Sequence, residues 1–288
     1  MIAAAFDYFA PKTLDETLAL LDTHGSACKV LAGGMTLVPV MTLGLVQPGA
    51  VVSLNHVAGL DAIEDAGDVL RLGAMVRHAT LARHPLVRQY TPLLAAAAGG
   101  IGDVQVRHRG TLGGSLSHAE PAADYLCACA ALGARFCLRS RHGERWLDVE
   151  TFFCDVMTTA LAPEELLTMI EIPKQPVGSG IAHLTLRRVE GAFPVVLASA
   201  AVAPGFVTAR LGLGGIGPRP VALDITDALR GGLSDRALPV IGERAFAAAA
   251  HALSDLNGSS RYRREMARVY ARRAVQAAVA HLESGARA

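Results

Sequence analysis

The spacing of apolar residues near the start of the chain predicts a helix followed by two short strands. In the run TLDETLALL, residues 13–21, the leucines recur every three to four positions and would share one helical face. Thr13 and Glu16 fit a capping box at its start, and Gly25 is expected to end it. Strand-like apolar runs follow at residues 29–32 and 50–54. These elements predict a small α/β lobe.

A second, larger lobe is indicated by strand-like and helical runs that follow the first lobe. Proline at the start of two of the helical runs suits a first helical turn. The predicted strands are 69–74, 135–139, 145–148 and 166–172, the middle two forming a hairpin around the turn RHGE, and the predicted helices are 79–83, 92–98 and 121–132.

A change in pattern after residue 173 predicts a separate C-terminal unit. The segment KQPVGSG, residues 174–180, is the best linker candidate. Strands are predicted at 183–189, 195–202 and 206–213, and helices at 235–253 and 259–283. The predicted fold class is α+β, with a first domain at 1–175 (lobes at about 1–56 and 57–175) and a second at 176–288.

The composition favours a globular protein with a large core. The chain has 288 residues, of which 51% are hydrophobic and 18% are charged, and 27 basic residues nearly balance 26 acidic ones. This balance gives no electrostatic basis for binding nucleic acid or an anionic membrane. No apolar run predicts a membrane span, and the start MIAAAFDYFAPK lacks the basic region of a signal peptide. The five cysteines form no C-x-x-C pair and fit a reducing compartment, so we expect a cytoplasmic protein.

The stretch GLGGIG, residues 212–217, formally matches a dinucleotide-binding fingerprint. That motif works only when a helix follows, because the helix N-terminus receives the pyrophosphate. Here Pro218 and Pro220 follow and remove backbone donors. A tight turn after a strand is the better interpretation.

His118 and Glu120 resemble the H-x-E of zinc deaminases, with Cys127 and Cys129 downstream. Zinc deaminases complete their metal site with P-C-x-x-C, whereas these cysteines are spaced C-x-C and lack the proline. They are better interpreted as buried helix residues. No Ser-His-Asp set, carboxylate pair or cluster ligand set is evident, so we expect neither a catalytic residue nor a metal site.

Two Gly-Gly segments carry the strongest functional signal. The segment LAGGMTLVP, residues 31–39, and the stretch QVRHRGTLGGSLSHAEPAAD, residues 105–124, each join a glycine pair to hydroxyl residues. Glycine lets backbone N–H groups converge on an anion. Two such loops suggest one large phosphate-bearing cofactor held from two sides. Asp124 could accept hydrogen bonds from ribose hydroxyls, or it could serve as a helix-start charge that interacts with the macrodipole.

At these two segments the sequence resembles the FAD-binding medium subunits of molybdenum hydroxylases, a family that includes the carbon monoxide and xanthine dehydrogenases. The resemblance extends over essentially the whole chain, from FDYFAPKTLDETLALL to the arginine-rich last helix. It implies a two-lobed FAD-binding domain of the vanillyl-alcohol-oxidase (PCMH) type, followed by a smaller C-terminal domain of antiparallel sheet plus helices. It also implies non-covalent FAD. The four-cysteine insertion of benzoyl-CoA-reducing relatives is absent.

The resemblance also assigns candidate cofactor-binding residues. Two departures from the family concern the flavin ring: Met35 stands where a polar residue is common, and Phe193 replaces a common Tyr. The candidates are Ala32, Gly33, Gly34, Met35, Thr36 and Leu37 in a first diphosphate loop, Thr111, Leu112, Gly113, Gly114 and Ser115 in a second, Asp124 near the adenosine end, and Phe193 near the flavin ring.

The resemblance implies that this chain relays electrons within a larger enzyme. A large subunit would oxidise the substrate at a molybdopterin cofactor, and a small subunit with two [2Fe–2S] clusters would pass the electrons to the FAD. The FAD would deliver them to an external acceptor, in an assembly expected to be a dimer of heterotrimers. Such a task requires positioning and tuning of a cofactor rather than an acid or base from the chain. The alternative is a stand-alone flavin-dependent oxidoreductase that acts directly on a small molecule.

Overall fold

The computed structural model describes residues 5–285. Residues 1–4, which belong to the stretch considered above as a signal peptide, lie outside this range, as do residues 286–288. The first lobe is a three-stranded parallel sheet with strand order β1-β3-β2 and two helices. Its elements are β1 (Asp7–Phe9), α1 (Leu14–His24), β2 (Cys28–Leu31), α2 (Leu37–Thr42) and β3 (Ala50–Ser53).

The start of α1 confirms the predicted capping box. The Thr13 hydroxyl accepts a hydrogen bond from Glu16 N at 3.2 Å, and the Glu16 carboxylate accepts one from Thr13 N at 3.2 Å. The helix ends at Gly25, whose φ of +50° is a conformation that glycine adopts without strain. Leu18 and Leu21 are buried against this lobe's sheet. Local sequence therefore fixes both ends of α1.

The second lobe is a five-stranded antiparallel sheet with strand order β4-β5-β10-β6-β7, covered by short helices. A small hairpin, β8–β9, lies outside this sheet. The elements are β4 (Ile63–Ala66), β5 (Val69–Gly73), α3 (His78–Arg83), α4 (Pro85–Tyr90), α5 (Pro92–Gly99), α6 (Val104–Arg109), α7 (Leu112–His118), α8 (Asp124–Leu132), β6 (Arg135–Ser140), β7 (Gly143–Asp148), α9 (Val149–Phe152), β8 (Phe153–Asp155), β9 (Thr158–Thr159) and β10 (Leu166–Pro173).

The C-terminal unit is an antiparallel sheet packed against two helices, as predicted, but the sheet has a fourth strand, at Val221–Asp224, that the sequence did not predict. The strands pair in sequence order, β11-β12-β13-β14. The elements are β11 (Gly180–Leu186), β12 (Val196–Val202), β13 (Ala209–Gly214), β14 (Val221–Asp224), α10 (Ala237–Ala248) and α11 (Ser260–Gly285). The α+β fold class is thereby confirmed, and the exact domain boundaries stay a prediction.

Helix α8 joins the second lobe to the C-terminal unit. All nine of its residues are buried, because the helix contacts both the core of the second lobe and strands β12 and β13. Gly212 on β13 leaves room for the backbone carbonyl of Cys127, where any side chain would collide. The close helix–sheet contact therefore depends on glycine at this position.

Three sequence-based expectations differ from the structure. Pro121 does not open a helix: α8 begins three residues later, at Asp124, because residues 121–122 form a turn. The strand predicted at 206–213 begins at Ala209, after a short 3-10 turn. The strand predicted at 183–189 lies earlier, at Gly180–Leu186, so that the predicted linker extends only to the start of β11. Prolines and glycines mark breaks in the chain without fixing the residue at which the next element begins.

The turn at GLGGIG is confirmed. Strand β13 ends at Gly214, the chain turns through Gly215, whose φ is +70°, and β14 follows. No helix N-terminus is available there to receive a phosphate. Within the part of the chain that the structure describes, no helix is long and apolar enough to cross a membrane.

Candidate functional site

The first Gly-Gly segment connects the end of β2 to the start of α2. Gly34 has a φ of +78°, which a larger residue adopts only with strain, and Met35 and Thr36 are exposed. Within residues 5–285, the N–H groups of residues 33–37 donate to no protein acceptor. The Thr36 side chain does not cap α2 either. Five consecutive backbone donors are thus left for an anion to bind.

The second Gly-Gly segment is not the loop that the sequence predicted. Residues 112–118 form helix α7, and Thr111 caps it, since the Thr111 hydroxyl accepts from Gly114 N at 3.1 Å. The other N–H groups at this helix start are also engaged: Leu112 N donates to Val76 O, Gly113 N to Ala74 O and Ser115 N to Thr111 O, at 2.9, 2.7 and 3.1 Å. The expected phosphate cradle is here a tightly packed helix start.

The glycines of the second segment have different packing roles. A β-carbon on Gly113 would lie 2.5 Å from the Ala74 β-carbon and 2.8 Å from the Ala74 carbonyl oxygen. Gly113 therefore lets α7 approach the end of β5. A β-carbon on Gly114 would point the other way, 3.5 Å from the β-carbon of Ala32 in the first segment. The absence of a side chain at Gly114 keeps the two segments close together.

The structure brings the two segments into direct contact. Gly33 is buried, and a β-carbon there would collide with the backbone carbonyl of Arg109, near the start of the second segment. The prediction that the two stretches form one site agrees with this proximity. The individual cofactor contacts of the thirteen candidate residues stay predictions.

Two polar residues that no sequence motif marks lie where the two segments meet. The Asn55 amide donates to Ala32 O at 3.3 Å, and Arg77 donates to the Asn55 side-chain oxygen at 3.0 Å. Arg77 also donates to the backbone carbonyl of Arg109. Asn55 and Arg77 follow strands β3 and β5, but neither belongs to a motif. Only tertiary structure places them beside the Gly-Gly segments.

His78 lies behind the contact between the two Gly-Gly segments and is 4% exposed. Its Nδ1 lies 2.9 Å from the hydroxyl of buried Tyr125, and a β-carbon on Gly110 would collide with its ring. Burial lowers the pKa of His78 to about 4, while the charge of nearby Asp124 opposes this shift. His78 is therefore neutral at pH 7 and adds no charge to the site.

Asp124 faces the C-terminal unit. It is 4% exposed, and its Oδ1 accepts a hydrogen bond from Arg187 at 2.8 Å and lies 3.0 Å from His183 Nε2. The other ring nitrogen of His183 lies 2.8 Å from the hydroxyl of Ser199, which is fully buried. The structure thus contains a Ser-His-Asp row that the sequence did not reveal. A nucleophile must reach its substrate, so this buried row joins two domains rather than serving catalysis.

Phe193 lies in the loop between β11 and β12 and is 56% exposed. Arg187, which contacts Asp124, also donates to Ala192 O at 3.3 Å in the same loop. A contact between Phe193 and a flavin ring stays a prediction. Asp124 is connected to this loop through Arg187.

The five cysteines are all free, and four of them are buried. Burial raises the pKa of Cys127 and of Cys129 to about 12, so both remain thiols at pH 7. No group of three or more His, Cys, Asp or Glu side chains within residues 5–285 could hold a metal ion.

The residues at the junction fit the diphosphate of FAD. The available N–H groups of residues 33–37 are hydrogen-bond donors, and Arg77 and Arg109, whose charges act on each other, carry positive charge. Amide donors and guanidinium groups are the partners that phosphate oxygens prefer in proteins. The fit depends mainly on the first segment, because the amides of the second are already engaged.

Comparison with known proteins identifies the domains. Residues 4–175 match the model for the "FAD binding domain in molybdopterin dehydrogenase", and residues 183–278 match that for the "CO dehydrogenase flavoprotein C-terminal domain". The nicotine 6-hydroxylase medium subunit of Paenarthrobacter nicotinovorans is 33% identical, with 98% of each chain covered. The carbon monoxide dehydrogenase medium chain of Afipia carboxidovorans is also 33% identical, with 99% of this chain and 100% of that one covered.

A solved structure supports the same relationship. The chain superposes on carbon monoxide dehydrogenase from Hydrogenophaga pseudoflava with a TM-score of 0.91, at 34% identity, covering 98% of this chain and 99% of that one. Fold, both family models and full-length relatives therefore agree. This chain belongs to the family of FAD-binding medium subunits of the molybdenum hydroxylases and is an oxidoreductase subunit.

Proposed function

We propose that this chain is the electron-transfer subunit of a molybdenum hydroxylase. In this role it takes electrons from the [2Fe–2S] clusters of a small partner subunit and passes them to an external acceptor. The observation that carries the proposal is the row of five available N–H groups at residues 33–37, in contact with the start of the second Gly-Gly segment. Bound FAD would supply the redox chemistry, since it can accept and release electrons singly or in pairs.

The residues of this chain would bind and orient the cofactor. The amides of residues 33–37 and the Thr36 hydroxyl would hold the diphosphate, and Ala32 and Gly114 would lie next to it. Four residues of the second segment would act indirectly, because they hold helix α7 in place: Thr111, Leu112, Gly113 and Ser115. No proton transfer is required of this chain, which agrees with a neutral, buried His78 at the junction.

The proposed assembly places the other cofactors on other chains. A large subunit would hold molybdopterin and oxidise the substrate, a small subunit would hold two [2Fe–2S] clusters, and two such heterotrimers would pair in the cytoplasm. The relatives named as medium subunits or medium chains support membership of a multi-subunit enzyme.

The visible absorption spectrum tests the proposal. The full chain would be expressed alone and together with its candidate partner subunits, purified, and examined before and after denaturation. We expect flavin absorbance that is released on denaturation, and co-purification of the partners with iron–sulfur absorbance assigned to them. A colourless protein in both preparations would refute the FAD assignment. A coloured chain that binds no partner would instead favour the stand-alone oxidoreductase.

A Gly114→Val variant tests the contact between the segments. Valine at this position would add atoms between Thr111 Oγ1, 2.7 Å from the ideal β-carbon, and Ala32. We expect this variant to lose FAD during purification, because the first segment is pushed away from helix α7. Full flavin occupancy in Gly114→Val would show that the cofactor does not depend on this contact.

A further inference from the structure

Arg77 connects the two Gly-Gly segments through a continuous row of hydrogen bonds. One end of its guanidinium group donates to the Asn55 side-chain oxygen at 3.0 Å, and the Asn55 amide donates to Ala32 O at 3.3 Å. The other end donates to the backbone carbonyl of Arg109. The row therefore begins at the first segment and ends where Gly33 touches Arg109. A planar guanidinium group can bridge two acceptors in this way, whereas an ammonium group directs its donors less rigidly.

Arg77 is partly buried, and no carboxylate of the described chain lies close enough to form an ion pair with it, although the charge of Asp61 favours its protonated form. Within residues 5–285, neither Arg77 nor Arg109 forms an ion pair with a carboxylate. The pKa of Arg77 is lowered, first by loss of hydration on burial and then by the nearby charge of Arg109, while the charge of Asp61 opposes this shift. Desolvated charge without a partner is costly, and binding sites are places where such a cost is offset by a ligand.

The surrounding groups indicate the charge of the ligand. Five unused N–H donors lie on the adjoining segment, and His78 beside Arg77 is neutral. The positive charge of the junction therefore comes from arginine, and the available backbone donors require an acceptor-rich partner. A diphosphate meets both requirements because it is anionic and has several acceptor oxygens.

We propose that Arg77 is a positioning residue of the cofactor site. It holds residues 33–37 against helix α7 through Asn55 and the Arg109 carbonyl, and its charge raises the affinity of the site for the diphosphate. This inference rests on the proposed function, since the anion in question is that of FAD.

The test is a binding titration with the full chain. FAD would be removed from the wild type and from the variants, and each apoprotein would be titrated with FAD while flavin fluorescence is recorded at low and high salt. Arg77→Gln should weaken FAD binding by about 10- to 100-fold, the range expected for lost hydrogen bonds to a charged group. The salt dependence of binding should also become flatter, because one positive charge is missing. Arg139→Gln, which removes the same charge from an exposed strand residue paired with Glu144, should bind FAD as the wild type does.

Two further variants separate charge from bridging. Arg77→Lys keeps the positive charge but loses the planar guanidinium group that donates to two acceptors. Its affinity for FAD should therefore lie between those of the wild type and Arg77→Gln. Asn55→Ala keeps Arg77 and breaks the link to Ala32, and it should weaken binding severalfold. Asn55 is exposed, so this variant is expected to fold even if Arg77→Gln does not.

The outcomes distinguish this inference from the proposed function. If the wild type binds FAD and Arg77→Gln binds it equally well, the inference about Arg77 fails and the proposed function stands. If Arg77→Gln only lowers the melting temperature while its folded form binds FAD normally, Arg77 has a purely structural role and the inference also fails. If Arg77→Lys binds FAD as tightly as the wild type does, the inference that Arg77 acts by bridging the two segments is wrong. If the wild type itself binds no FAD, the proposed function fails.

Discussion

The two Gly-Gly segments resemble each other in sequence and differ in structure. In the first, the N–H groups of residues 33–37 have no acceptor within the described chain, and Met35 and Thr36 are exposed. In the second, the N–H groups of residues 112–115 are all engaged by the protein, and residues 111–113 are buried. The same pattern of two glycines and a hydroxyl residue thus makes a loop with free backbone donors in one place and a packed helix start in the other.

The glycines themselves explain the difference. Gly34 adopts a positive φ, which turns the first segment and leaves its amides without protein partners. Gly113 instead lets α7 pack closely against Ala74. Gly33 and Gly114 lie where the two segments meet. Changes in the first segment should therefore act on cofactor binding, and most changes in the second should act on stability.

The largest effect is expected for Gly33→Ala. Its new β-carbon would collide with the Arg109 carbonyl, so the backbone must move and the two segments must separate. We expect the purified variant to lack flavin absorbance. The matched control is Gly99→Ala, where a β-carbon meets nothing within 4 Å and a helical site favours alanine. If Gly33→Ala retains as much flavin as Gly99→Ala, the proposed role of the first segment in cofactor binding is wrong.

Asp124→Asn tests whether Asp124 belongs to the cofactor site. The variant would leave the Arg187 guanidinium, with a side chain only 15% exposed, without its counter-charge. We expect the free energy of unfolding to fall by an amount on the order of 3 kcal/mol, as when one partner of a buried pair is removed. Urea unfolding of the apoprotein measures this loss, and FAD affinity of the folded protein should change little. A large loss of affinity with normal stability would instead support the predicted ribose contact.

Gly113→Ala should reduce stability without direct contact with the cofactor. The added methyl group must displace Ala74 or helix α7, since the ideal β-carbon lies 2.5 Å from the Ala74 β-carbon. Overpacking of this kind costs about 1–3 kcal/mol. Chemical unfolding of apoprotein and FAD-bound protein should show the same decrease. A decrease that appears only with FAD bound would mean that Gly113 faces the ligand.

The smallest effect is expected for Thr111→Val. Valine keeps the shape of threonine but cannot accept the hydrogen bond from Gly114 N, which caps α7. Loss of an N-cap acceptor costs about 1 kcal/mol of stability. Thr111→Ser retains the hydroxyl and should restore most of this loss in the same unfolding measurement. If Thr111→Val lowers FAD affinity and leaves stability unchanged, the hydroxyl serves the cofactor instead of the helix.

Local signals in the sequence predicted much of the fold. The capping box of Thr13 and Glu16, the break at Gly25 and the hairpin of β6 and β7 are short-range features, and the structure confirms each of them. The α+β class follows from where such elements occur along the chain. The start of α8 was misplaced because Pro121 is compatible with both a turn and a first helical position.

The candidate site was predicted only where it lies within one stretch of chain. The sequence identified both Gly-Gly segments, but it could not show whether their N–H groups remain available, since Val76 and Ala74, which engage two of them, lie more than thirty positions away. The same limit hid Asn55 and Arg77. It also hid the row of Ser199, His183 and Asp124, which is assembled from two domains.

The sequence by itself determined the elements, the two glycine-rich segments and, through its resemblance, the family and its FAD. These properties depend on neighbours along the chain or on motifs that are contiguous. Tertiary structure alone decided which backbone donors are left for a ligand, which residues hold the segments together and why Asp124 faces Arg187. Hydrogen bonds and charges are satisfied by whatever the fold brings near, and that proximity is not written in any single stretch of residues.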